Sequence, residues 1–281
     1  MASADPAALP PLIDVIRRHG LEPRRSLGQN FLLDARLTLR IAEATGPLDG
    51  INIVEVGPGP GGLTRSLLAA GAERVVAIER DDRCVAALAE LALAYPGRLE
   101  IVPADALSVD IASLVPSPRR IIANLPYNIA TPLLVRWLRR IDEWQVLGLM
   151  FQKEVAERLT AAPRTKDYGR LSILTQWLTE PDIAFDLPPG AFMPPPKVTS
   201  SVVVLRPRPE PLAPADFATL ERVTAAAFGQ RRKMLRGSLK TLGLDPLALC
   251  EAAGVEPTAR AEELDVAAFC ALARAVAETE N

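Results

Sequence analysis

The stretch Ile51-Asn52-Ile53-Val54-Glu55-Val56-Gly57-Pro58-Gly59-Pro60-Gly61-Gly62 decides the fold. An apolar run rich in β-branched residues reads as a buried strand, and it ends in four glycines within six residues. Upstream, Asp34 can cap a helix carrying Leu37, Ile41 and Ala44 at helical spacing, and Gly46 stops it. Downstream, Leu63 to Ala70 reads as a helix, Arg74 to Ile78 as a strand and Asp82 to Ala94 as a helix. Leu99 to Val102, Arg120 to Ala123 and Val146 to Phe151 are further strands, with a helical run from Pro132 to Arg140 between the last two. Strands alternating with helices predict a parallel sheet covered on both faces, a Rossmann-like α/β domain. Past Phe185 come a proline-rich loop, Leu187 to Pro196, and a β-branched strand, Ser200 to Leu205. Prolines 207, 209, 211 and 214 mark a linker, and all that follows is helical in texture. The expected division is an α/β domain over 1–208 and a small all-helical domain over 209–281.

Composition narrows the chemistry. The 281 residues carry 32 basic and 34 acidic side chains, a formal net charge of −2 that by itself does not suggest a nucleic-acid partner. The total hides a segregation. Gly229 to Lys240 holds Arg231, Arg232, Lys233, Arg236 and Lys240 and no acid, whereas Glu251 to Asn281 is net −5. The single histidine, His19, excludes Ser-His-Asp hydrolysis, HExxH proteases and histidine-rich zinc sites, and it reads as an exposed helix C-cap. Cys84, Cys250 and Cys270 are odd in number and far apart, so buried thiols in a reducing cytoplasm are expected and no metal site. No run of 18 apolar residues occurs, and the first residues lack a basic signal-type segment; the expected protein is soluble, cytoplasmic and not bound to membranes.

The glycine loop satisfies two patterns. Gly57, Gly59 and Gly62 fit GxGxxG, the dinucleotide fingerprint, and Glu55, Gly57, Gly59 and Gly61 fit the acidic-x-GxGxG pattern of S-adenosylmethionine enzymes. Glu79, 22 residues after Gly57, would accept ribose hydroxyls in either class. Asp81 and Asp82 read as helix-capping acids, and Asp105 is placed to accept from an adenine amine.

Asn124-Leu125-Pro126-Tyr127 separates the classes. Methylating an amine conjugated to a ring requires turning its lone pair out of conjugation. An Asn side-chain oxygen and a backbone carbonyl stiffened by Pro126 can accept both N–H bonds, and Tyr127 can stack on the flipped base. A special general base is unnecessary, since the proton can leave after transfer. Phe192, ahead of Pro194, Pro195 and Pro196, would hold the other face of the base or simply pack in the core. Gln29 and Asn30 in Ser26-Leu27-Gly28-Gln29-Asn30-Phe31-Leu32 close over a cofactor or form a polar turn. Arg17, Arg18, Arg24 and Arg25 make a basic arm, and Arg24 and Arg25 with Arg231, Arg232, Lys233 and Arg236 are the candidate phosphate contacts; a solvated helix face is the alternative for the second group.

Five of these segments together resemble the bacterial small-subunit ribosomal RNA adenine dimethyltransferases, over nearly the whole chain: Ser26 to Leu32, Glu55 to Gly61, Asn124 to Tyr127, Phe192 to Val198 and Ala227 to Lys233. The resemblance implies transfer of four methyl groups, two to N6 of each of two adjacent adenines in the 3′-terminal hairpin of 16S rRNA in the immature 30S subunit. It implies cofactor contacts at Asn30, Leu32, Gly57, Glu79, Asp105 and Asn124, and base contacts at Asn124, Leu125, Pro126, Tyr127 and Phe192. The expected enzyme is a monomer. Pro60 and Ala104 depart from the family's usual leucine and glycine. Rival readings are a nicotinamide dehydrogenase, a large-subunit methyltransferase of the macrolide-resistance type, and an assembly factor that withholds immature subunits.

Overall fold

The computed structural model describes residues 9–24 and 28–280; the sequence-based assignments to Arg25, Ser26 and Leu27 lie outside them. In chain order the first elements are α1 (Leu12–Arg18), β1 (Phe31–Leu32), α2 (Ala35–Glu43), β2 (Asn52–Val56), α3 (Gly62–Ala69), β3 (Arg74–Glu79) and α4 (Asp82–Ala94). They are followed by β4 (Leu99–Pro103), β5 (Arg119–Ala123), α5 (Tyr127–Leu138), β6 (Val146–Gln152), α6 (Lys153–Thr160) and α7 (Arg170–Leu178). The chain ends with β7 (Thr179–Leu187), β8 (Phe192–Met193), β9 (Ser200–Pro207), α8 (Phe217–Gly229), α9 (Leu235–Ser238), α10 (Pro246–Ala252) and α11 (Val266–Glu280).

Seven strands form one sheet in the order β4-β3-β2-β5-β6-β9-β7. The pairs β2–β3, β3–β4, β2–β5 and β5–β6 are parallel. β9 runs antiparallel to β6, so the sheet is mixed where the sequence predicts an all-parallel one. Every residue of β2 is buried, as are Val75 to Ile78 and Ile121 to Ala123. Near-continuous Val/Ile runs of this kind belong to strands covered on both faces. Asp34 caps α2 through Arg36 N at 2.8 Å, and Asp81 caps α4 through Arg83 N at 3.2 Å, as their sequence positions predict.

Three expectations change. The helix predicted from Pro132 begins at Tyr127, with Pro132 inside it. The N–H that Pro132 lacks would have met the carbonyl of Asn128, an exposed residue in the first turn, so the lost bond costs little. His19 does cap α1, but its ring is half-buried, with Nε2 2.8 Å from Glu90 Oε1. The domain division also differs from 1–208 and 209–281. One compact unit runs to Lys153 and resumes over Ile183–Arg206, and the other combines Glu154–Asp182 with the chain from Pro207 onward. Within that second unit Trp177 Nε1 donates to Ala213 O at 2.7 Å, Tyr168 meets Phe228 edge-on at 6.2 Å, and Arg164 N donates to Glu262 O at 2.7 Å. α6 and α7 thus complete the core of the helical unit.

Candidate active site

From β2 the chain crosses to β3 and β4 on one side, and from β5 it crosses to β6 on the other. The adjacent strands β2 and β5 are therefore the topological switch point, and their carboxyl ends open a crevice. Gly57 leaves β2 there and Asn124 leaves β5. Gly57 has φ +68°, and a Cβ on it would stand 3.2 Å from Pro126 Cδ. Gly59 has φ +56°, and a Cβ on it would come within 2.9 Å of the Phe31 ring. The glycine loop is thus packed directly against both neighbouring motifs, with no room for side chains between.

Glu79 ends β3 with its side chain buried against this loop. Its Oε2 accepts from Gly59 N at 3.0 Å, and its Oε1 accepts from Arg80 N at 2.8 Å and Asp81 N at 2.9 Å. Burial raises its pKa more than the three amides lower it. Glu55, fully buried, accepts from Thr64 Oγ1 at 2.6 Å, and burial foremost, then the Glu79 charge, pushes its carboxyl up to about 8. Burial thus raises both carboxyls beside the loop above the ordinary carboxylate range. Asp105 follows β4, accepts from Leu107 N at 2.9 Å and faces Arg80 Nη1 at 3.4 Å.

Asn124 donates from Nδ2 to the carbonyl oxygen of Asn30 at 3.1 Å. A carbonyl can only accept, so the amide nitrogen must occupy that side and Oδ1 is left as an acceptor. Pro126 provides the N-cap of α5, and Tyr127 opens the helix with its hydroxyl 2.6 Å from Ser200 Oγ. Burial raises the Tyr127 pKa and keeps it neutral. Gln29 accepts from Arg24 N at 2.9 Å and donates to Asp81 Oδ2 at 3.1 Å, which ties the segment before β1 to the start of α4.

These groups line one open cleft. Asn30, Leu32, Gly57, Glu79, Asp105 and Asn124 all face it, together with Leu125, Pro126 and Tyr127. Phe192 does not. It is 4% exposed, pairs with Leu32 across β8–β1 and packs in the apolar core, the alternative its sequence context left open. Residues that motif reading passed over also line the cleft: Arg80, whose only signal is its place directly after Glu79, and Asn128. Ser200 carries no motif signal at all.

The comparisons with known proteins agree with this geometry. The model of the ribosomal RNA adenine dimethylase family matches residues 20–278. The chain belongs to the ribosomal RNA adenine dimethylase family. A ribosomal RNA small subunit methyltransferase A of Rhodospirillum rubrum is 64% identical over 268 residues, 95% of this chain and 93% of that protein. One from Xanthobacter autotrophicus is 63% identical over 278 residues, 97% of this chain and 96% of that protein. Among solved structures, a dimethyladenosine transferase of Plasmodium falciparum superposes with TM-score 0.75 at 25% identity, covering 86% of this chain and 95% of that one. The 23S rRNA methyltransferase ErmE superposes at 0.65 and 28% identity, covering 88% and 100%. The dimethylase fold is thus the Rossmann-like methyltransferase fold that the sequence predicts.

In the second unit of this dimethylase the basic run lies in the turn between α8 and α9 and in α9 itself. Arg231 is committed locally, Nε donating to Glu262 Oε2 at 2.8 Å and Nη2 to Thr165 O at 3.3 Å. Arg232, Lys233 and Arg236 are exposed, and their side chains have no ion-pair partner among the described residues. Arg24, in the first unit, is exposed too. Among the described residues no cluster of three metal-ligating side chains occurs, and no helix is long and apolar enough to cross a membrane. The three cysteines are free and buried.

Proposed function

We propose that the protein dimethylates N6 of two adjacent adenines in the 3′-terminal hairpin of 16S rRNA, using S-adenosylmethionine, on the immature 30S subunit in the cytoplasm, as a monomer without a metal. The observation that carries this reading is the oriented Asn124 amide, whose Oδ1 remains an acceptor in the cleft beside Pro126 and Tyr127.

The cleft suits the cofactor. The glycine loop borders the cleft, and Glu79 Oε2 accepts only one bond, leaving a lone pair for a ribose hydroxyl. Asp105 at the end of β4 suits an adenine amine, and Asn30 and Leu32 close the side toward β1. S-adenosylmethionine, when bound, supplies an electrophilic methyl group on a sulfonium. The protein's own task is to present the amine. Asn124 Oδ1 and the Leu125 carbonyl accept its two N–H bonds, which turns the lone pair out of the ring, and Tyr127 offers a stacking surface to the flipped base. The proton leaves to solvent after transfer, so the role needs no imidazole. Arg24, Arg232, Lys233 and Arg236 supply phosphate contacts.

The small subunit is favoured as substrate by the names of the relatives at 63–64% identity, against 28% for the large-subunit enzyme. The test is incubation with labelled S-adenosylmethionine and small subunits lacking the modification, followed by mapping of the RNA. Four methyl groups on two adjacent adenines are expected. Unlabelled small-subunit RNA, in a parallel reaction in which large subunits take up label, would overturn the assignment.

A further inference from the structure

Ser200 has no place in the motifs and touches no cleft surface, yet its hydroxyl is the partner of Tyr127. The two oxygens are 2.6 Å apart, and Ser200 is fully buried at the first position of β9, opposite Gln152 of β6. The backbone that carries Ser200 is braced on both sides. Thr199 O accepts from Lys153 N at 2.9 Å, and Ser201 Oγ donates to Asp186 Oδ1 at 2.6 Å. Asp186 is held in turn by Lys153 Nζ at 2.5 Å. Successive strand residues point to opposite faces, so Ser201 locks β9 from one face while Ser200 reaches Tyr127 from the other.

A tyrosine side chain has two soft torsions. At Tyr127 the turn from Pro126 into α5 sets the backbone from which the side chain leaves, and the bond to Ser200 holds the first torsion, because the hydroxyl lies on the ring's long axis and marks where that axis points. Both ends of the ring are therefore fixed before any base arrives. We infer that Ser200 is a positioning residue for base capture: through its bond to the Tyr127 hydroxyl it holds the long axis of the ring at the place where the target adenine stacks. The inference rests on the proposed methylation of adenine. Its chemical content is that preorganisation of the stacking surface appears in turnover and leaves cofactor binding alone.

The test compares Ser200→Ala, Tyr127→Phe, their double variant and Ser200→Thr in the full-length enzyme. Turnover and KM are measured on unmodified small subunits, S-adenosylmethionine affinity by calorimetry and thermal midpoint by circular dichroism. Ser200→Ala and Tyr127→Phe remove the same bond from opposite ends, so each is expected to lower kcat about 10-fold with the cofactor Kd within about twofold. The double variant is expected to be no worse than the poorer single, and Ser200→Thr to recover most of the loss. Should Ser200→Ala not fold, Tyr127→Phe carries the same prediction. A kcat within twofold of the parent in both single variants, or multiplicative losses in the double, overturns the role of Ser200. Full turnover in Tyr127→Ala would instead defeat the stacking role of Tyr127 and with it the proposed mechanism.

Discussion

Asn124 and Asn30 are joined by a bond from the side-chain amide of the first to the backbone carbonyl of the second, 3.1 Å long. The segment leading into β1 thus fixes which end of the Asn124 amide faces the cleft. Asn124→Asp would set a carboxylate oxygen against the Asn30 carbonyl, so the side chain must turn away or carry a proton. We expect single-turnover methyl transfer to fall about 100-fold or more for both Asn124→Asp and Asn124→Ala. S-adenosylmethionine affinity should fall further in the aspartate variant, because repulsion displaces the Asn30 segment that lines the cleft. Calorimetry beside rapid-quench kinetics checks both, and wild-type transfer by Asn124→Asp would end the orientation argument.

Glu55 makes stability depend on pH. Burial lifts its carboxyl to about 8 from an ordinary value of 4.5, so the folded protein keeps a proton that the unfolded chain releases. Its contribution is complete below about 4.5 and is lost as pH rises toward 8. Glu55→Gln removes that slope and keeps a neutral partner for Thr64. The thermal midpoint of the parent should drop relative to Glu55→Gln by roughly 5 °C between pH 5 and 8. Glu79, also raised by burial, leaves a smaller slope of the same sign in the variant. Parallel midpoint curves for the two proteins would show that Glu55 is ionised in the fold.

How much of this was legible depended on whether a signal was local. The buried Val/Ile runs of β2, β3 and β5 are fully covered on both faces, and the glycine loop, Glu79, Asp105 and Asn124 are set at strand ends by short connections; all were readable. β7 was not. Its residues alternate between exposed and covered positions, but Pro181, Asp182 and Asp186 suppress the strand signal, and proline is tolerated because β7 is an edge strand. β1 and β8 are two residues each and exist through pairing across 160 residues of chain, Leu32 opposite Phe192. That pairing is what buries Phe192, and no local pattern reveals it. Tyr168 and Trp177 likewise gave no sign that they pack on helices beyond the linker.

Gly57 and Gly97 separate two costs of adding a methyl group. Both have positive φ, +68° and +77°, but a Cβ on Gly57 meets Pro126 at 3.2 Å, and one on Gly97 meets nothing within 4 Å. Either alanine pays backbone strain of about 1 kcal/mol and should lower the thermal midpoint by a few degrees. Only Gly57→Ala should also weaken S-adenosylmethionine binding and slow methylation, since it pushes on the turn that carries Asn124 and Tyr127. Equal cofactor affinity in the two variants would show that loop and turn are not coupled.

Arg231 and its neighbours should part company in salt titrations. Arg231 is held by Glu262 and Thr165 O, whereas Arg232, Lys233 and Arg236 point to solvent without an ion-pair partner among the described residues. A side chain that neutralises a phosphate releases condensed counterions, so its loss lowers the slope of log affinity against log salt by about 1. Fluorescence anisotropy with a labelled small-subunit RNA fragment, from about 50 to 200 mM salt, should show that reduction for Arg232→Ala, Lys233→Ala and Arg236→Ala, with thermal midpoints unchanged. Arg231→Ala should do the reverse, lowering the midpoint and leaving most of the slope, because its guanidinium is spent on Glu262. An unchanged slope in the triple variant of Arg232, Lys233 and Arg236 would remove this face from the RNA contact and leave the run as a solvated helix surface.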